Sequence, residues 1–165
     1  MNLKESSRRY ILLGALLFII AGLIAANVLA SGQDKQFTKE DALYQQVAQL
    51  YSEKNYEEAS VYMKELLKAQ PKSEAVNYLG GLVAANMGDN KQAAILLQKA
   101  LDINPHKVED AMFMLQFAEV LVLAERNEDA KTVLMRCQES AWAPEEFPEY
   151  QNRVTELLAQ LDTIQ

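Results

Sequence analysis

The sequence predicts an all-α protein, in which a transmembrane helix precedes an α-solenoid of about three helix–turn–helix units and a C-terminal capping helix. Two observations carry this prediction. Pro71 and Pro105 are 34 residues apart, as are Ala59 and Ala93, and a fixed period of that size is typical of repeat architectures. In addition, residues 10–30 contain no charged side chain, which is typical of a membrane span.

The N-terminal apolar segment has the length expected of a membrane span. Residues 10–30 read YILLGALLFIIAGLIAANVLA, and a helix of this length would span about 31 Å, close to the thickness of a bilayer's hydrocarbon core. The sequence therefore predicts an anchor over residues 10–30, after a short basic tail (1–9) and before a polar linker (31–39). Three cations precede the segment and two follow it closely, which favours a cytoplasmic tail and a soluble domain on the extracytoplasmic side of the membrane. The cations are Lys4, Arg8, Arg9, Lys35 and Lys39.

A cleaved signal peptide is the alternative for this segment. Small residues before Ser31, at Val28 and Ala30, resemble a cleavage site. The apolar run is longer than the hydrophobic region of an ordinary signal peptide, so an uncleaved anchor is preferred.

The charge of the remaining chain bears on its partners. From Ser31 onward there are 22 acidic and 13 basic residues, a net charge of −9. Proteins that bind nucleic acids by neutralising phosphates carry the opposite charge. We therefore expect no nucleic-acid partner.

The repeat divides the chain into units. Unit 1 is assigned to residues 40–73, unit 2 to 74–107, unit 3 to 108–142 and the capping helix to 143–165. In the first two units an apolar helix, a short turn and a second helix precede a proline, which cannot continue a helix. In the third unit Ala130 follows Ala93 by 37 residues, which predicts three extra residues around 105–108 or in the next helix.

This pattern resembles the tetratricopeptide repeat family, which repeats helix–turn–helix units of about 34 residues with a small residue early in the second helix and a closing proline. Unit 2 matches best, and unit 1 has Val47 where unit 2 has its helical glycine. Unit 3 departs further, with Ala118 and Cys137 at two small-residue positions and Trp142 at the closing position. The matching residues are Gly81, Gly88, Ala93, Ala100 and Pro105 in unit 2, and Tyr56, Ala59 and Pro71 in unit 1.

The resemblance implies a concave groove, lined by the first helix of each unit, that binds peptides or helices. Carried over by position, the partner-binding residues are Tyr44, Ala48, Tyr51, Tyr78, Leu82, Ala85, Asn86, Met112, Leu115, Glu119 and Val122. Tyrosine suits such a surface because it offers a large contact area and a polar tip. The basic and Asn residues with which chaperone-tail-binding members clamp a carboxylate are absent from the matching sites, so that ligand is not expected.

The sequence offers little for chemistry. We expect no catalytic residues, no metal site and no cofactor, because there is no phosphate-binding glycine loop and no His or Cys cluster with ligand spacing. His106 and Cys137 could form a nucleophile pair. However, Cys137 occupies a position that is small and buried in this kind of repeat.

The sequence therefore predicts a membrane-anchored, non-catalytic scaffold that presents its groove to a protein partner. The resemblance implies an assembly factor for a membrane complex, such as a cytochrome c maturation or secretion system. A cleaved, exported holding chaperone is the alternative, and an enzyme using His106 and Cys137 is a second. Because three units are close to the smallest stable array, homodimerisation through the apolar third unit stays open.

Overall fold

Seven α-helices and one short 3₁₀ helix make up the described part of the chain. The structure, a computed structural model, describes residues 38–163, and strands are absent from this range. The predicted tail, anchor and most of the linker lie outside it, while residues 38 and 39, assigned to the linker, are helical. The helices are α1 (38–52), α2 (Tyr56–Ala69), α3 (Glu74–Asn86), α4 (Asn90–Ile103), the 3₁₀ helix Pro105–Glu109, α5 (Ala111–Leu123), α6 (Asn127–Glu139) and α7 (Tyr150–Asp162).

The helices pair as the repeat predicts: α1 with α2, α3 with α4, and α5 with α6. In each turn between paired helices one residue has a positive φ, at Lys54 (61°), Gly88 (80°) and Glu125 (61°). In all three turns the N–H of the next residue donates to the carbonyl five residues earlier at 2.9 Å. This hydrogen bond satisfies one of the carbonyl groups that have no partner at the end of a helix. The three turns thus share one geometry at spacings of 34 and 37 residues.

The three extra residues lie in the connection between the second and third units. Four residues (70–73) separate α2 from α3, whereas seven (104–110) separate α4 from α5. The longer connection contains the 3₁₀ helix, which begins at Pro105. As predicted, α2 and α4 each end two residues before a proline.

Small side chains allow the paired helices to approach closely. Ala59, Ala93 and Ala130 are fully buried at equivalent positions of the three second helices. In α3, a Cβ added at Gly81 would lie 2.7 Å from Leu97 of α4. The alanine positions predicted from the repeat are therefore buried, and Gly81 lies at a close contact between the paired helices.

The third unit is closed by α7. Helix α5 is buried on several sides, as predicted from its composition. Helix α7 covers it with Tyr150, Val154, Leu157 and Leu161 buried, and the Tyr150 hydroxyl donates to the Ala111 carbonyl at 2.9 Å. The predicted capping helix is thus present as Tyr150–Asp162, after a non-α-helical stretch over residues 140–149.

The predicted localisation needs correction. Within residues 38–163, none of the helices has the length and apolar character required to cross a bilayer. On this finding the prediction of a single-pass membrane protein with its helical domain on the extracytoplasmic side is wrong, and no membrane location is assigned. The predicted anchor itself, residues 10–30, falls outside the described residues.

Candidate partner-binding groove

The side chains predicted to line a groove lie on the first helices α1, α3 and α5. Those on α1 and α3 are partly exposed, and Asn86, at the end of α3, is exposed. We use the name first-helix groove for the predicted binding surface that comprises Tyr44, Ala48, Tyr51, Tyr78, Leu82, Ala85 and Asn86. This surface combines three phenol rings with small and apolar side chains and contains no charged residue.

Tyr51 lies at the junction of the first two units. Its ring centroid is 5.6 Å from that of Tyr56. Burial and the neighbouring Tyr56 raise the pKa of Tyr51, and an interaction with the Asn86 side chain opposes this only in part. The Tyr51 phenol is therefore neutral near pH 7 and can donate a hydrogen bond to a partner.

Tyr78 is held by contacts on several sides. Its hydroxyl donates to Gln116 Oε1 of α5 at 2.6 Å. Its ring centroid is 5.4 Å from that of Phe113, at an interplanar angle of 57°. Burial, followed by the charge of Asp110, raises the pKa of Tyr78, while the Lys107 ammonium opposes the rise. The Tyr78 ring is thus fixed and uncharged, with part of its surface open.

Lys107, from the 3₁₀ helix, lies beside Tyr78. Its Nζ is 5.1 Å from the centroid of the Tyr78 ring and 5.5 Å from that of Phe113. It also pairs with Asp110 at 3.0 Å and with Glu74 at 3.6 Å. Burial lowers the pKa of Lys107, but the hydrogen bond to Asp110 and the nearby carboxylate charges raise it by more, so the net shift is upward. Lys107 is a charged group whose partners lie within the protein.

Of the four third-unit residues of the predicted site, only Leu115 is buried. Leu115 is only 3% exposed and belongs to the core, while Met112 and Val122 are partly buried against the same core. Glu119 pairs with Arg153 of α7 at 2.7 Å. The structure therefore places Leu115 inside the fold and leaves the predicted residues of α1 and α3 at least partly exposed.

Three further residues of this region were not predicted from the sequence: Lys107, Gln116 and Arg153. Lys107 falls among the residues that lengthen the connection after unit 2, and this irregular spacing is the one signal that could have directed attention to it. Gln116 and Arg153 carry no such signal, because their roles arise from contacts 38 and 34 residues away in the chain.

The comparison with known families decides the identity of the fold. The family described as the tetratricopeptide repeat-like domain matches residues 7–150. The chain belongs to this family. No curated protein matches it in sequence.

Solved structures of tetratricopeptide repeat architecture are similar to this chain. The Yersinia enterocolitica type III secretion chaperone SycD, in complex with a peptide of the translocator YopD, is 20% identical with a TM-score of 0.61, over 75% of this chain and 92% of that one. PcrH, in complex with the chaperone-binding region of PopD, is 14% identical with a TM-score of 0.60, over 75% and 91%. The TPR2B domain of yeast Sti1, in a pHsp70 complex, is 12% identical with a TM-score of 0.60, over 78% and 99%. At these identities the likeness shows the fold.

The two residues considered for nucleophilic chemistry have different surroundings. His106 is exposed on the 3₁₀ helix, whereas Cys137 is fully buried in α6. Burial raises the pKa of the Cys137 thiol, which disfavours the reactive thiolate. Over the part of the chain that the structure describes, no three His, Cys, Asp or Glu side chains are grouped so as to hold a metal ion.

Proposed function

We propose that the protein is a non-catalytic interaction scaffold that binds an extended segment of a partner protein in the first-helix groove. The observation that carries the proposal is the arrangement at Tyr78. Its ring is partly exposed, yet it is fixed by Phe113 beside the ring and by Gln116 at the hydroxyl. Large aromatic side chains that are already ordered make strong anchors in interfaces, because little conformational freedom is lost on binding.

The chemistry of the groove indicates how a segment would be recognised. Its lining is aromatic, apolar or amide, and the nearby cations are occupied, Lys107 by Asp110 and Glu74 and Arg153 by Glu119 and Glu156. Recognition therefore depends on apolar side chains of the partner and on hydrogen bonds to its backbone. A terminal carboxylate is a poor match.

Two of the similar structures support a peptide ligand. SycD is described with a peptide of YopD, and PcrH with the chaperone-binding region of PopD. By analogy, the finer form of the proposal is an assembly or holding chaperone for components of a secretion system. A role in cytochrome c maturation remains a further form of the same proposal, and homodimerisation through unit 3 is an additional one.

Selection of peptides tests the proposal. The full-length protein is used to select binders from a random displayed peptide library, and the affinity of a selected peptide is measured by titration calorimetry. We expect the triple variant Tyr44→Ala, Tyr51→Ala, Tyr78→Ala to weaken binding by about 100-fold or more, since aromatic anchors at such interfaces together contribute about 3 kcal/mol or more.

A matched control distinguishes binding in the groove from nonspecific binding to other exposed apolar side chains. Val61 and Ile95 are large exposed apolar side chains on the second helices α2 and α4. The variant Val61→Ala, Ile95→Ala should bind the selected peptide as the native protein does. Equal loss of binding in the control, or none in the tyrosine variant, would refute binding in the first-helix groove.

A further inference from the structure

The 3₁₀ helix in the longer connection places Lys107 beside the Tyr78 and Phe113 rings. The shorter connection between units 1 and 2 has no 3₁₀ helix. In the four-residue connection 70–73 the lysine, Lys72, is exposed. In the seven-residue connection 104–110 Lys107 is only 19% exposed and lies over two aromatic rings. The lengthened connection therefore has a specific structural result, which is a lysine beside Tyr78 of the groove.

The Lys107 ammonium contacts two aromatic rings and two carboxylates. Phe113 and Tyr78 pack ring to ring, and Nζ of Lys107 lies within 5.5 Å of both centroids. Asp110 and Glu74 then fix the ammonium from the N-terminal ends of α5 and α3. An ammonium at this distance from an aromatic face is attracted by the ring quadrupole.

We infer that Lys107 is a positioning residue of the first-helix groove, which holds the Tyr78 ring in its partner-facing orientation and does not itself bind the partner. This inference rests on the proposed function. An aromatic side chain has two rotatable torsions, and fixing them before binding reduces the free-energy cost of association. Lys107 is excluded from a ligand role because its charge is shared between two carboxylates of the protein.

Binding measurements with two forms of one peptide test the inference. A peptide selected from the displayed library is synthesised with a free C-terminal carboxylate and with a C-terminal amide, and both are titrated into the full-length protein. In Lys107→Met the apolar stem is largely kept and the charge is lost. We expect this variant to bind both forms about 3- to 30-fold more weakly, in keeping with the strength of cation–π contacts.

Two further variants complete the design. Lys107→Arg keeps a cation that can lie over an aromatic ring and should restore most of the affinity. Lys91→Met removes an exposed lysine of α4 and should leave the affinity unchanged. Loss confined to the carboxylate form would show that Lys107 binds the partner directly, and unchanged affinity for both forms would show that it positions nothing. Either result overturns the inference.

A measurement without peptide separates this inference from the proposed function. In the NMR spectrum of the native protein, the ε-methylene protons of Lys107 should be shifted upfield by the two ring currents, and Tyr78→Leu should reduce that shift. Because the Lys107 charge lowers the pKa of Tyr78, Lys107→Met should raise the phenol pKa. If these signatures hold but the native protein selects no peptide, the proposed function fails. If peptide binds but the signatures are missing, only the inference on Lys107 fails.

Discussion

Gly81 of α3 and Leu97 of α4 meet so closely that a Cβ at position 81 would lie 2.7 Å from both Leu97 Cγ and Leu97 Cδ2. The same added atom would lie 3.4 Å from the Ala93 carbonyl oxygen. The two helices of unit 2 thus approach until the glycine backbone touches the leucine side chain. Helix α3 also carries Tyr78 and Leu82 of the proposed groove.

The variant Gly81→Ala should be destabilised by about 1–3 kcal/mol, because the added methyl group overpacks a filled site. Urea unfolding followed by circular dichroism measures this. The double variant Gly81→Ala, Leu97→Ala should show coupling, with a total smaller than the sum of the single effects, because the second change removes the clash.

The neighbouring glycine supplies a control for Gly81→Ala. A Cβ at Gly80 would lie 3.3 Å from Met63 Sδ and from Leu96 Cδ1, which are atoms in the outer parts of flexible side chains. The gain in helix propensity, about 0.5–1 kcal/mol, offsets the smaller strain. Gly80→Ala should therefore change the free energy of unfolding by less than about 1 kcal/mol, and equal effects at the two glycines would contradict the close contact with Leu97.

The left-handed turn residues offer a second prediction. Lys54 and Glu125 have φ of 61° at the position where unit 2 has Gly88, and a residue with a Cβ is strained there by about 1–2 kcal/mol. Glu125→Gly should therefore raise the free energy of unfolding by about 1 kcal/mol, and Gly88→Ala should lower it by about as much. A destabilised Glu125→Gly would show that the turn geometry is not shared.

Acid should weaken the fold through Asp110. Burial raises the pKa of this carboxyl, but hydrogen bonds from the Phe113 N–H and from Lys107 lower it by more, so the net shift is below its ordinary value of 3.8. A carboxyl with a lowered folded pKa stabilises the protein above its unfolded pKa, and this contribution is lost as the pH falls through the folded pKa. Because the side chain is 41% exposed, the contribution is discounted for solvent screening to about 0.5–1 kcal/mol.

The variant Asp110→Asn isolates the charge, since Asn keeps an oxygen for capping α5. It should be less stable than the native protein at pH 7, and the two should converge as the pH falls below about 4. Thermal unfolding at a series of pH values measures the difference. A stability difference that stays constant from pH 7 to pH 2 would contradict a role for the Asp110 charge.

Cys137 should behave as a structural thiol. Because it is fully buried and its pKa is raised by burial, iodoacetamide should label it at pH 8 only as fast as the helices open. In 8 M urea labelling should be faster by roughly 100-fold or more. Rapid labelling of the folded protein, or loss of peptide binding in Cys137→Ala, would instead support a functional thiol.

The solenoid could be predicted because its determinants are local and repeat at a fixed spacing. The buried alanines, the closing prolines and Gly88 each act through the sterics of one turn or one helix contact, and their spacing of 34 residues is visible in the sequence. The location of the three extra residues could also be predicted, because an insertion must lie between two repeat positions that still align.

Much of the site could not be predicted, because it depends on packing between distant parts of the chain. Leu115 occupies a groove position by spacing, yet it is buried in the core cluster of the third unit. From the sequence, Lys107 is indistinguishable from an ordinary surface lysine. In the structure the 3₁₀ helix places its ammonium over the Tyr78 and Phe113 rings. These outcomes depend on the angles between helices, which residue spacing does not encode.

Photocrosslinking from single positions tests the central claim most directly. A benzoylphenylalanine is placed at Leu82 in the first-helix groove, or at Ile95 on the outer face of α4, and each full-length protein is irradiated with the selected peptide. We expect crosslinking from position 82 that unlabelled peptide reduces by competition, and none above background from position 95. Crosslinking from position 95 alone, or equally from both, would place the partner outside the first-helix groove and contradict the proposed function.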